Sequence, residues 1–246
     1  MSSQEDSIFM NYVIVILLIG FIILIHEAGH FLAARAVKIP IRIFSIGFGP
    51  TLWRIRKDET EYRICLLPLG GYVLPDVDEE DEFFAFPCNA RIIMSIGGPA
   101  ASLVLPFLCF ALMNVTTDGF SPDSLFIKPA VQVFTTFHQM LISLPLLFSQ
   151  PGDLSGIVGI VAQGGGFIGG NVLKALLFTA LISVNLALLN LLPFPVLDGG
   201  KVFLYLLEKI HRPAKSLHYP LAMAGWLLLI GLMLYVTVHD IGKLFT

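Results

Sequence analysis

At 246 residues, 56% hydrophobic, only 13% charged and with a mean hydropathy of +0.82, the chain cannot be an ordinary soluble domain, in which about a quarter of residues are charged. It reads as one membrane-embedded domain, residues 1–246, whose net charge of −3 selects no partner; no nucleic-acid partner is expected. Cys65, Cys88 and Cys109 are odd in number and match no zinc or redox spacing, so they read as core residues.

In chain order, Met1 to Met10 carries Glu5 and Asp6 and no basic residue. It lacks the basic start and small-residue cleavage site of a signal peptide, so the first apolar helix is expected to stay in the mature protein. Four apolar stretches reach spanning length: about 12–36, 92–113, 175–192 and 219–238. Residues 129–148 contain Gln132, His138, Gln139 and Pro145. They read as an amphipathic helix at the membrane surface or against the bundle. The expected fold is an all-α polytopic membrane protein of four core transmembrane helices. A small membrane re-entrant β-sheet or hairpin, about residues 40–75, and the amphipathic helix complete it.

The first span holds His26-Glu27-Ala28-Gly29-His30. On a helix, positions i and i+4 share a face, so His26 and His30 can hold one Zn²⁺ together. Glu27 can then act as general base on a water at the metal. The residues from Val13 to Ile25 are all apolar or glycine, and Phe31 to Val37 is again mostly apolar. Ionisable groups in such a setting cost roughly 2.5–3.5 kcal/mol each on insertion scales, so a chance polar face is a poor explanation.

Basic residues predict the topology. Lys38, Arg42, Arg54, Arg56, Lys57 and Arg63 lie between spans one and two; Lys201, Lys209, Arg212 and Lys215 lie between spans three and four. The positive-inside rule makes both loops cytoplasmic and both termini external. The histidines then fall in the cytoplasmic half of the first span, and the third span ends on the same side.

Between the first two spans, Thr60 to Leu66 and Gly70 to Leu74 read as short strands around Pro68, and Gly47-Phe48-Gly49-Pro50 as a turn. These strands can form a sheet dipping toward the metal, or an ordinary cytoplasmic hairpin. The acidic run Asp76 to Glu82 reads as a solvated loop. Gly97-Gly98-Pro99-Ala100-Ala101 reads as a close helix contact, and Gly164 to Gly170 as a flexible connection. His138, His211, His218 and His239 lack partners at ligand spacing and read as interfacial or surface residues.

The third span ends Asn190-Leu191-Leu192-Pro193-Phe194-Pro195-Val196-Leu197-Asp198-Gly199-Gly200. The two prolines break the helix and present Asp198 from a turn at about the depth of the histidines. Asp198 would be a third zinc ligand and leave a fourth position open, as a catalytic zinc requires. Asn190 can hydrogen-bond a substrate backbone or an oxyanion, or serve an interhelical hydrogen bond.

The paired motifs His26-Glu27-Ala28-Gly29-His30 and Asn190 to Gly199 resemble the site-2 protease family of intramembrane zinc metalloproteases. Gly47 to Pro50, Pro68 to Val73, Gly98 to Ala100 and Leu154 to Ile160 resemble its bacterial branch, typified by the regulator-of-sigma-E protease. The resemblance implies zinc on His26, His30 and Asp198, with Glu27 catalytic and Asn190 lining the site. It implies that Gly70, Gly71, Tyr72 and Val73 belong to a re-entrant β-loop that clamps an unwound substrate as an added strand. It also implies a bacterial cytoplasmic (inner) membrane location and a single-span membrane-protein substrate within the lipid bilayer, such as an anti-sigma factor or a remnant signal peptide. An upstream protease or regulatory partner belongs to the same picture. Two departures stand out. The PDZ domains of that branch have no room between the second and third spans. Ser102 stands where relatives often have asparagine, so that contact does not carry over. The alternative reading is a membrane metal-binding or transport protein without hydrolytic activity, although no internal repeat supports it. An inactive scaffold relative fits poorly, because all four catalytic positions are present.

Overall fold

The structure is a computed structural model that describes residues 2–78, 80–149, 156–210 and 217–244. Helix α1 (Ser2–Ala36) leads into strands β1 (Ile41–Lys57) and β2 (Thr60–Pro75). There follow α2 (Glu80–Ala85), α3 (Cys88–Asp118), a single π-turn at Asp123–Ile127 and α4 (Lys128–Ser149). The chain continues through α5 (Ile157–Ile168), α6 (Val172–Leu191), α7 (Asp198–Ile210) and α8 (His218–Leu244). Among the described residues, four helical segments are long and apolar enough to cross a membrane: Ile8–Ala36, Cys88–Asp118, Val172–Leu191 and His218–His239. The protein is a multi-pass integral membrane protein. The expected spans are all present, and α3 extends beyond its expected apolar core at both ends.

The chain divides into two compact units. The first comprises Met1–Leu18, Pro106–Asn185 and Met223–Thr246. In it, the glycines of α5 are part of a helix rather than a flexible connection. A side chain at Gly164 would meet Phe178 and Val15, and one at Gly165 would meet the Tyr12 ring. With water absent, close packing of small residues is what holds such helices together. The helix ends where Gly169 turns left-handed, at φ 51°. Expected helix 129–148 forms as α4 and docks on α3: Asn114 Nδ2 donates to Gln132 Oε1 at 2.8 Å. Leu154 and Ser155, in one family-like segment, lie outside the described residues, as do His211, Arg212 and Lys215.

The second unit comprises Ile19–Leu105 and Leu186–Ala222 and contains all the candidate zinc ligands. Helix α1 stops one turn and a half past His30. Lys38 takes φ 61°, Ile39 N–H bonds to Ala34 O, and Lys38 N–H to Arg35 O. This double closure satisfies the last carbonyls, and Pro40 prevents continuation. The chain then returns along α1 as β1. Phe31, Ala34, Ile39, Ile41, Phe44 and Ala90 form its buried core. Phe31 meets Phe44 edge-on at 5.3 Å and Tyr62 at 5.8 Å, which fastens the sheet to the helix just beyond the histidines.

β1 and β2 form one antiparallel hairpin, from Ile41↔Pro75 down to Lys57↔Thr60. The hairpin also folds on itself. Ile43 to Ile46 pair with Leu74 to Gly71 at one edge and with Glu61 to Ile64 at the other. The inner part of β1 is therefore the middle strand of a small three-stranded layer. Gly47-Phe48-Gly49-Pro50 is not a free turn but the bend inside β1. Gly47 and Gly49 both have φ 86°, and the register shifts there. Only glycine adopts that conformation cheaply, which is why the strand can turn without ending. The acidic run is not a free loop either. Arg42 Nε donates to Asp76 Oδ1 at 2.6 Å and its Nη2 to Asp78 Oδ1 at 2.7 Å, and α2 begins at Glu80.

Candidate active site

His26 and His30 are both buried on one face of α1. Their Nε2 atoms lie 3.2 Å apart. Asp198 Oδ2 is 3.3 Å from His26 Nε2 and 3.2 Å from His30 Nε2. Three donor atoms thus form a nearly equilateral triangle. A tetrahedral zinc with bonds of about 2.0–2.1 Å spaces its ligands about 3.3–3.4 Å apart, so the triangle is the size of one face of that tetrahedron. Among the described residues, these are the metal-ligand types that cluster: His26, His30 and Asp198. The residues fit zinc, and zinc is the cofactor.

The outer nitrogens are also held. His30 Nδ1–H donates to Met94 O at 2.8 Å, which leaves its Nε2 as a lone pair aimed at the metal position. Gly98 N lies 3.3 Å from the same nitrogen; the shorter carbonyl contact sets the tautomer. His26 Nδ1 lies 2.9 Å from Ser102 Oγ. Ser102 is fully buried. The serine that stands in place of asparagine thus has a contact of its own, with the ring of His26. Sequence reading missed this role and that of Met94, whose contribution is a backbone carbonyl. For Ser102 the signals were a small polar residue on an apolar helix and its place where the resembling family often has asparagine; neither names His26 as the partner.

The glycine run of α3 is what lets α1 approach. A side chain at Gly29 would collide with Gly97 O, and one at Gly98 with the His30 ring itself. Packing is the correct reading of Gly97 and Gly29, and Gly98 makes the cavity into which His30 fits. On the opposite side, Asp198 opens α7 after the proline-broken segment. Side chains at Gly199 and Gly200 would strike Leu191 O and Phe194 O, so both glycines are needed to fold α7 back against the end of α6. Lys201, not anticipated from the sequence, lies with Nζ 3.2 Å from Asp198 Oδ1 and occupies the oxygen that faces away from the histidines.

Glu27, half-buried, faces the sheet. A Cβ at Gly71 would sit 2.8 Å from Glu27 Cγ and 2.8 Å from Ser45 O. The expectation of strands reaching toward the metal is met at this residue. The other three loop residues point elsewhere. Gly70 backs onto the Phe48 ring, Tyr72 stacks on Phe48 at 6.3 Å, and Val73 packs in the core between sheet and α1. Asn190 lies in the last turn of α6 and is half-buried. Of the other histidines, His138 stacks on Phe134 and His239 on Tyr235. His218 is not a surface residue: it packs on Tyr205 at 5.2 Å and Phe84 at 4.8 Å.

A multi-pass membrane fold with a buried two-histidine, one-carboxylate zinc centre and an adjacent glutamate defines a membrane-embedded zinc metalloprotease class. The model of peptidase family M50 matches residues 14–234. The chain belongs to that family, the site-2 proteases. A Campylobacter jejuni protein named "Putative zinc metalloprotease Cj1068" is 26% identical over 348 aligned positions, covering 96% of this chain and 94% of its own. "Putative zinc metalloprotease CPE1693" of Clostridium perfringens is 28% identical over 331 positions, covering 94% and 98%. Both alignments are longer than the 246-residue chain, so these relatives hold internal residues that it lacks. A Chlamydia trachomatis "Putative zinc metalloprotease" is 38% identical over 119 positions, 42% of this chain and 19% of its own.

Proposed function

We propose that the protein is a zinc-dependent intramembrane endopeptidase that hydrolyses peptide bonds within a transmembrane segment of another membrane protein. The observation that carries this reading is the position of Glu27. It adjoins two zinc-ligand histidines in sequence and meets Gly71 of β2 in space. Zinc, when bound by His26, His30 and Asp198, supplies a Lewis acid that polarises a carbonyl and acidifies water. Glu27 takes the proton of the attacking water and returns it to the leaving amine. A transporter has no use for a base at that point.

The segment from Gly71 to Leu74 pairs with β1 on one side, and no strand covers its other side among the described residues. A substrate segment added there would be extended, with its carbonyls freed from helical hydrogen bonds, and would pass beside Glu27. The main chain of Gly70, Gly71, Tyr72 and Val73 forms this clamp, independent of where their side chains point, and Asn190 hydrogen-bonds the substrate backbone. In this reading the protein lies in a bacterial inner membrane, with the site toward the cytoplasmic side and both termini outside. Its substrates are single-span proteins such as an anti-sigma factor or a remnant signal peptide, and an upstream protease or regulatory partner sets the timing.

Incubation of a purified single-span substrate with the wild type and with Glu27→Gln tests the reading. Product from the wild type alone is expected. Equal product from both would overturn the assignment of Glu27.

A further inference from the structure

The zinc ligands come from two helices far apart in the sequence, and a third helix touches both. Arg91, Ser95, Gly98 and Ser102 follow one another on α3 at i, i+4, i+7 and i+11, a single helix face. The upper part of that face serves α1: Gly98 cradles the His30 ring and Ser102 meets His26. The lower part serves α7. Ser95 faces the Tyr205 side chain. Arg91 Nη1 and Nη2 donate to Glu208 Oε2 and Oε1, both at 2.9 Å.

Arg91 is held on every side. It is 2% exposed, and its guanidinium lies over the Phe84 ring at 4.9 Å and the Tyr205 ring at 4.7 Å. Its Nε also donates to Phe86 O at 3.2 Å. A forked, two-bond contact between planar groups fixes orientation as well as distance, which a lysine would not do. On α7, Asp198, Tyr205 and Glu208 fall at i, i+7 and i+10, so the anchored face is also the ligand face. Glu208 stands ten residues, about 15 Å, along α7 from Asp198. The segment just before Asp198 is broken by Pro193 and Pro195 and cannot by itself set the pitch of α7.

We propose that Arg91 is a positioning residue for the metal centre: through its paired bonds to Glu208 it sets the rotation and height of α7, and so brings Asp198 to the two histidines. This deepens the zinc-centre reading and rests on it. Arg91 and Glu208 touch neither metal nor substrate; they act through Asp198.

The test is zinc affinity of the full-length protein in detergent, by competition with a chromophoric chelator, for the wild type, Arg91→Gln, Asp198→Asn and the double variant. Arg91→Gln is expected to weaken zinc by about tenfold, the scale of outer-shell effects. In the Asp198→Asn background the same change is expected to have no further effect, because the ligand it positions is already disabled. Glu208→Gln, which preserves size, should repeat both results and covers the case in which Arg91→Gln does not fold. Unchanged affinity in Arg91→Gln or Glu208→Gln would overturn the proposal. So would an equal loss with and without Asp198, which would mark general destabilisation. A wild type that binds no zinc would instead overturn the metal reading itself, at His26 and His30 as much as at Asp198.

Discussion

The Ser102 hydroxyl stands 2.9 Å from His26 Nδ1, although 76 positions of chain separate them. It fixes the ring of the first candidate zinc ligand as the Met94 carbonyl fixes that of the second. Ser102→Ala should weaken zinc binding by about tenfold in chelator competition while leaving the fold intact, since outer partners of ligating histidines carry effects of that size. An unchanged affinity would mean that packing alone orients His26.

Gly71 of β2 lies directly against Glu27. A valine there would press on Glu27, because even a Cβ lies 2.8 Å from its Cγ. Gly71→Val should retain zinc but lose roughly a hundredfold in kcat/KM, the scale of an ångström-sized misplacement of a reacting group. Loss of zinc along with activity would show that the variant disrupts the ligands instead.

The contact between α1 and α3 is backbone against backbone. A Cβ at Gly29 would collide with Gly97 O and come within 2.6 Å of Ala101 Cβ. Gly29→Ala should lower stability by about 1–3 kcal/mol, as overpacking does, seen as a lower thermal midpoint in detergent. An unaltered midpoint would mean that the helices separate at no cost.

Zinc should also stabilise the protein it binds. At about 100 times its Kd, a ligand specific to the folded state adds about 2.7 kcal/mol. Chelator should therefore lower the thermal midpoint of the wild type, and added zinc should restore it. His30→Ala should respond to neither.

The sequence carried much of the site. His26, Glu27 and His30 are local, set by a five-residue pattern in an apolar helix, and the prolines before Asp198 announced a break that could present a ligand. Spans could be read because membrane helices are long apolar runs. What stayed hidden depends on long-range contact. The strand Ile41 to Lys57 is not legible as one, because the glycine pair inside it reads as a turn but bends the strand without ending it. The α5 glycines look flexible by composition and are held by Phe178, Val15 and Tyr12. His218 reads as an interfacial or surface residue, yet its ring packs on Tyr205 and Phe84. The Arg91–Glu208 pair spans 117 positions and has no local signature.

The most direct test of the zinc centre is metal content per chain of the purified protein, for the wild type, His30→Ala, Asp198→Asn and Glu27→Gln. One zinc is expected in the wild type and in Glu27→Gln, little or none in His30→Ala, and a weakened, readily dialysed zinc in Asp198→Asn. Zinc retained in full by His30→Ala, or lost from Glu27→Gln while the fold persists, would contradict that expectation.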